Sequence, residues 1–190
     1  GVESELAGAN YQVMGRLPTI LKKRQWYRGI EGLAVSPDEQ YLYFILSSSL
    51  ANPNDSAAIN SRYVRLFQVS LRSGNLDQIV GEYVYVIDSL ETFTADNTNK
   101  QSDVKISEMV ALGTDKLIMV ERSTRQTKLY QVATLRNGTN LLDSRWDEEK
   151  TYPSLEMLSN LVTQGITAID KKLVFNSARD LPTLDANIEG

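Results

Sequence analysis

The stretches LFQVSLRSGNL, from Leu66, and LYQVATLRNGTNLL, from Leu129, are two versions of one pattern. Each is an alternating apolar segment running into a glycine-containing turn, Ser73-Gly74 in one and Asn137-Gly138 in the other. Such a repeat constrains the fold strongly, because a recurring unit buries its apolar face against its neighbours. Upstream, EGLAV at Glu31 has a counterpart in EMVAL at Glu108, and QGITA at Gln164 opens a third unit. Each is followed by a turn and an apolar segment: YLYFIL, KLIMVE and KLVFN.

The segments are short, rich in Val, Ile, Leu, Tyr and Phe, and bounded by Gly, Pro, Asn, Asp or Ser, the signature of strands. Two places read as helical, ELAGANYQVM near the N-terminus and SLEMLSNLV, where Ser154 could cap a turn. The chain is therefore read as all-β and antiparallel. A unit of strand, turn, strand, loop, strand, hairpin, strand is a four-stranded blade, and roughly 40–45 residues per blade is usual for propellers. Residues 1–190 form one domain on this reading, with repeat units at about 29–90, 104–146 and 163–180. That makes a partial β-propeller of about two and a half blades, a C-terminal portion with further blades expected upstream; the alternative is a small sandwich with a pseudo-repeat. The first unit carries an insertion, SSSLANPNDSAAINSRY at 47–63, whose small polar residues predict a surface loop suited to contact with a protein or a glycan.

Two absences limit the chemistry. The chain has no Cys and no His, so a thiolate nucleophile, a Ser-His-Asp triad and Cys- or His-based metal sites are excluded within it. Carboxylates, Arg, Lys, Tyr and hydroxyls remain, with calcium as the cation that oxygen ligands suit. A net charge of -4 argues against nucleic acid as the main partner. No segment reaches the ~20 apolar residues of a membrane span, and none reads as a signal peptide.

The ordered series GRLPTI, RGIEGLAVSPDEQYLYFIL, GEYVYVID and ISEMVALGTDKLIMVERS resembles the phytase-like family, also described as esterase-like activity of phytase. Its pattern runs G-F-E-G-L-A-x-S-P-D-G-x-x-L-Y, a Y-x-Y-x-x-D strand, I-S-x-hydrophobic-hydrophobic-A-L, and L-V-L-E-R. The resemblance covers about Arg16 to Arg122, with a looser tail through Gln164. It implies a β-propeller, an exported (periplasmic or extracellular) bacterial setting, and hydrolysis of small-molecule esters or phosphate esters. This sequence departs from the pattern at three places. Glu39 stands at the turn glycine, Gln164 replaces a glutamate, and Asn176-Ser-Ala-Arg-Asp180 stands in place of an acidic loop.

Candidate site residues follow from the repeat and the charges. Glu31, Glu108 and Gln164 share a repeat position that in a propeller lines the central channel, where carboxylates serve as acid, base or cation ligands. Fastening one blade to the next is the other role open to them. Glu121 and Arg122 point to opposite faces of a buried strand. Glu121 would supply a third catalytic carboxylate and Arg122 a bidentate anchor for an anion, or each would bridge neighbouring blades. Arg28 belongs to the one dense basic cluster, with Lys22, Lys23 and Arg24 around Trp26 and Tyr27. With Gln164 and Asn176 it completes the substrate-binding set; the alternative for the cluster is a solvated face. A non-catalytic propeller presenting the 47–63 loop is the competing functional class.

Overall fold

The computed structural model describes residues 8, 10 and 15–183. Among them, eight strands form two antiparallel sheets, each in simple meander order. The first contains β1 (Ile30–Val35), β2 (Tyr41–Leu46), β3 (Tyr63–Ser70) and β4 (Gln78–Val86). The second contains β5 (Lys105–Gly113), β6 (Lys116–Arg122), β7 (Thr127–Val132) and β8 (Lys171–Asn176). This is the all-β arrangement of four-stranded antiparallel sheets that the sequence predicts, with β1 of one sheet packed beside β5 of the other. The helical reading of ELAGANYQVM falls largely outside the described residues. SLEMLSNLV forms one short 3-10 turn, Leu155–Met157, and the Ser154 hydroxyl donates to Asn52 O instead of capping it.

The repeat holds through three strands and then breaks. The β3–β4 connection is a tight turn in which Gly74 takes a φ of +92°, open to glycine without a Cβ clash. The corresponding Asn137-Gly138 is no hairpin: Gly138 has a φ of -79° and ends a 3-10 turn, Leu135–Asn137. The chain then makes a long excursion before KLVFN returns as β8, the outer strand of the second sheet. The segment expected at 163–180 to open a third unit thus completes the second one. Gln164 lies in a 3-10 turn, Val162–Gln164, closed by Gly165 at φ +71°.

That excursion has its own packing logic. Leu141 N donates to Glu82 O, Asn140 Oδ1 accepts from Glu82 N, and Ile169 N donates to Val84 O. These bonds satisfy the free edge of β4, which would otherwise present unpaired backbone groups. Leu141, Trp146, Leu155, Leu161 and Ile166 pack with Val84 in a second apolar cluster. The main core lies between the two sheets and includes Phe44 stacked on Phe67 with ring centroids 4.7 Å apart.

A buried cation pins the excursion in place. Arg65 on β3 is fully buried, as is Glu82 on β4, and its guanidinium reaches Glu82, Glu156 and the carbonyl of Trp146. Burial would lower the pKa of Arg65, but the two carboxylates outweigh it and raise the value. Burial also pushes Glu82 up to about 7, against Arg65, and the neighbouring Asp147 carboxyl reinforces the rise.

The 47–63 insertion differs from a plain surface loop. Ser47, Ser48, Ser49, Leu50 and Asn52 are buried, because Ser47 bridges the sheets: its carbonyl accepts from Ile106 N, and its hydroxyl donates to Ile106 O at 3.3 Å. Only the second half projects, as helix α1 (Asp55–Asn60), whose first turn Asn54 caps by accepting from Ala57 N. Helix α2 (Ser177–Asp180) follows β8 directly.

The Ser-Pro-Asp turn between β1 and β2 is built by side chains. Ser36 Oγ donates to Asp38 Oδ1 at 2.5 Å and accepts from Tyr41 N at 3.0 Å. Asp38 Oδ2 accepts from Thr114 Oγ1 at 2.8 Å, tying this turn to the β5–β6 turn of the other sheet. Glu39 completes the turn at φ +55°, the left-handed region in which a residue with a Cβ is strained by about 1–2 kcal/mol.

Two outcomes follow. Glu39→Gly relieves the strain but loosens the unfolded chain, leaving a net gain of about 0.5–1 kcal/mol, measurable as a higher midpoint in denaturant. The second concerns Glu82, whose folded pKa of about 7 exceeds its ordinary value of 4.5. The unfolded chain releases its proton first, so stability falls as pH rises from about 4.5 to about 7 and then levels. Glu82→Gln should remove that decline, seen as a wild-type-minus-variant difference in unfolding free energy that shrinks across this window.

Candidate functional site

The residues singled out from the sequence separate into three places. Glu31 sits in a bulge: β1 pairs Ile30 with Leu46 and Gly32 with Ile45, leaving Glu31 between them, exposed. Strand β5 bulges at the same point, between Ile106 and Glu108, and the residue skipped there is Ser107. Glu108 is therefore one step out of phase with Glu31, and its Oε1 accepts from the backbone N of Met109 at 2.8 Å. Gly32 explains how close these strands come. A Cβ there would lie 2.7 Å from an Ile45 methyl and 2.9 Å from the Met109 Cβ, so only glycine admits β5 beside β1. Gln164, exposed in its 3-10 turn, is on no strand and does not join them.

Glu121 belongs to a second place. It is fully buried on β6. Tyr85 Oη donates to its Oε1 at 2.6 Å, Asp88 N donates to its Oε2 at 2.9 Å, and Lys171 Nζ forms an ion pair with it. Lys171 also reaches Asp88 Oδ1 at 2.9 Å, while Lys128 reaches Asp88 Oδ2 at 3.0 Å. Tyr130 donates to Asp88 as well, and both lysines lie over aromatic rings: Lys128 over Phe93 at 4.1 Å, Lys171 over Tyr130 at 3.9 Å. The Y-x-Y-x-x-D strand and the strand ending Val120-Glu121-Arg122 meet here, through Tyr85, Asp88 and Glu121.

Two carboxylates and two lysines leave this knot electrically balanced, which is what allows charges so far from water. Burial pushes Glu121 upward against the pull of Lys171. Burial acts in the same sense on Asp88, but hydrogen bonds from Tyr130 and Lys171 outweigh it and hold that carboxyl below the usual range. Tyr85 is raised by burial and by the neighbouring Glu121. The knot joins the end of β4 to β6, β7 and β8, so it fastens the two sheets. It also fails the requirements of a calcium site, because Lys128 and Lys171 fill the space a cation would take. Among the described residues, no group of three acidic side chains could hold a metal ion.

The third place holds two predicted substrate-binding residues. Arg28, just before β1, and Arg122, at the end of β6, line one cleft of about 220 Å³ with Asp103, Lys105, Ser123 and Thr124. Lys105 is the partner of Arg122 across the β5–β6 ladder, which places both side chains on one face. Glu121 and Arg122 do point apart, one into the knot and one into the cleft. Asp103 ends a 3-10 turn, Gln101–Asp103, and its Oδ2 accepts from Thr98 Oγ1 at 2.5 Å. The cleft thus gathers three cations, one carboxylate and two hydroxyl-bearing residues. Of the remaining basic cluster, Trp26 and Tyr27 stand 85% and 93% exposed and cover no sheet edge.

Asn176 has a structural task. Its Oδ1 accepts from Ala178 N at 3.2 Å, capping α2, and from Gln126 Nε2 at 2.9 Å. Sequence reasoning did not single out Lys105, Lys128, Lys171 or Asp88 as site residues. The available signal was a charged residue inside or beside an otherwise apolar strand, as in TKLYQV and KKLVFN.

No curated protein and no solved structure matches the chain. A protein-family model described as "Phytase-like: Esterase-like activity of phytase" matches residues 3–190, nearly the whole sequence. On that match, and with its Y-x-Y-x-x-D and V-E-R strands joined in the knot, the chain belongs to the phytase-like family.

Proposed function

We propose that the chain hydrolyses phosphate esters of small molecules, with the anion held in the cleft between Arg28, Lys105 and Arg122. The observation that carries this reading is the convergence of those three cations on one small cleft that also contains a carboxylate. Guanidinium groups suit a phosphoryl group because they donate paired hydrogen bonds to two of its oxygens. Cations already in place also stabilise the charge that builds on those oxygens during transfer. Family membership supports the reaction class; it does not choose between carboxylic and phosphoric esters, and the charge of the cleft favours the latter.

In this mechanism Asp103 takes a proton from a water molecule while the water oxygen bonds to phosphorus. The bond from phosphorus to the ester oxygen breaks, and the leaving alkoxide takes a proton from solvent. Thr98 orients the Asp103 carboxylate, and the hydroxyls of Ser123 and Thr124 hydrogen-bond the phosphoryl oxygens. Glu121 has no chemical role here, because its oxygens are engaged in the knot. The other two candidate catalytic carboxylates, Glu31 and Glu108, lie outside the residues that line this cleft.

Hydrolysis of p-nitrophenyl phosphate and p-nitrophenyl acetate, followed at 25 °C, tests the reading. The phosphate ester should be the preferred substrate. Arg28→Ala should lower kcat/KM about tenfold or more through lost anion contacts, and Asp103→Asn should lower kcat by about a hundredfold or more. Rates no faster than buffer, or rates that neither substitution alters, would overturn the proposal.

A further inference from the structure

Two aromatic side chains stand apart because packing does not use them. Trp26 and Tyr27 are 85% and 93% exposed, so burial gives them almost no part in stability. Their ring centroids are 6.0 Å apart and the planes are tilted by 48°, which leaves a face of each ring open to solvent. Trp146, the other tryptophan of the chain, is buried.

The backbone nevertheless holds this pair in a defined place. Residues Gln25 to Arg28 form a turn closed by Arg28 N donating to Gln25 O at 3.1 Å. Its third residue, Tyr27, has a φ of +58°, where glycine would sit without strain. Gln25 anchors the turn, since its Nε2 donates to Ser48 Oγ at 3.0 Å and to Ser49 O at 2.9 Å. Strain kept in an anchored turn that presents two bare rings points to a binding role.

The last residue of that turn is Arg28, which lines the cationic cleft. Consecutive Cα atoms are about 3.8 Å apart, so the aromatic pair stands beside the mouth of the cleft. The cleft itself, at about 220 Å³, is smaller than the roughly 300 Å³ at which whole-ligand sites begin. It has room for a phosphoryl group, and the rest of an ester extends past its rim. The chemistry of the leaving group agrees. Among the described residues lining the cleft, Asp103 is the one carboxyl group, and in the step proposed above it serves the attacking water. The cations face the phosphoryl oxygens, so no side chain is assigned to protonate the leaving oxygen. An aliphatic oxygen, with a pKa near the value of about 16 for water, departs poorly without that proton; a phenolic oxygen, at about 10, departs as an anion.

We propose that the substrates are aryl phosphates, with the phosphoryl group in the cationic cleft and the aromatic ester group against Trp26 and Tyr27. The inference rests on the assignment of that cleft to a phosphoryl group. Water oxygen bonds to phosphorus, the bond from phosphorus to the aryl oxygen breaks, and Asp103 passes the proton it took to solvent. The products are inorganic phosphate and a phenol, the aryloxide taking its proton from solvent. Ring-on-ring contact with Trp26 and Tyr27 orients the ester group at the rim.

Phenylphosphonate and methylphosphonate, which are not hydrolysed, separate the ring from the phosphoryl group when each is titrated by calorimetry. Phenylphosphonate should bind about tenfold or more tightly and should quench the fluorescence of the exposed Trp26. Trp26→Ala and Tyr27→Gly should each reduce that preference. Tyr27→Gly relaxes the backbone as it removes the ring, so its denaturation midpoint should not fall and the loss is not one of folding. Phenyl phosphate should also be hydrolysed about tenfold or more faster than benzyl phosphate, which keeps the ring but leaves as an alkoxide. Equal phosphonate affinities, a preference that both variants keep, or equal hydrolysis of the two esters would overturn the aryl assignment and leave the anion site standing. Binding of neither phosphonate would overturn the anion site and this inference with it.

Discussion

The ion cluster at Arg65 is the constraint on which much of the rest depends. A guanidinium at zero exposure is tolerable only where charge and hydrogen bonds compensate the loss of water. Here Glu82 comes from the adjacent strand, whereas Glu156 and the Trp146 carbonyl come from the excursion between β7 and β8. The cluster therefore joins the first sheet to a segment of the second. Once docked, that segment closes the edge of β4 with backbone bonds and brings residues 152–159 opposite α1. Both the second apolar cluster and the cleft of about 720 Å³ between α1 and residues 152–159 are consequences of this docking.

A division of labour among charges follows. The carboxylates that are deepest in the molecule, Glu82, Glu121 and Glu156, are committed to lysine or arginine partners. Burial is the leading influence on the pKa values of Glu82 and Glu121, and all three carboxylates hold sheets and segments together. The cations that line the cationic cleft lie at the end of the sheets where β1 and β5 begin, since Arg28 precedes β1, Lys105 starts β5 and Arg122 ends β6. The same end carries the insertion, because it connects the end of β2 to the start of β3. On the proposed function, fastening and recognition are carried by different residues, although some are adjacent in sequence: Glu121 and Arg122 are consecutive and serve opposite faces of one strand.

Strand content and the three-strand repeat were legible because alternation and turn residues are local signals. The Ser-Pro-Asp turn, the Ser73-Gly74 turn and the pairing of LFQV with LYQV all rest on neighbours within a few residues. What was not legible depends on distant contacts. KLVFN has the same alternation whether it is the second strand of a new unit or the fourth of an old one. Only the docking of residues 133–170 against β4 decides between them. Ser47 to Leu50 read as loop by composition, yet they are buried because Ile106 of the other sheet bonds to Ser47. The channel set of Glu31, Glu108 and Gln164 does not assemble, for a related reason. Glu31 and Glu108 match by local motif, but the bulges put Glu31 level with Ser107, and Gln164 lies in a 3-10 turn off the strands. Glu121, the separate candidate, is engaged by lysines from β7 and β8. Arg28 and Arg122 do share a cleft, although nothing in their sequence spacing says so.

The central claim is that anion recognition belongs to the cationic cleft while the buried carboxylates serve the fold. Backbone amide NMR during titration with inorganic phosphate tests it most directly. The account predicts saturable shifts concentrated at Arg28, Asp103, Lys105 and Arg122 to Thr124, with the amides of Tyr85, Asp88 and Glu121 unmoved. Shifts centred on Asp88 and Glu121, or none at any of these residues at millimolar phosphate, would contradict it.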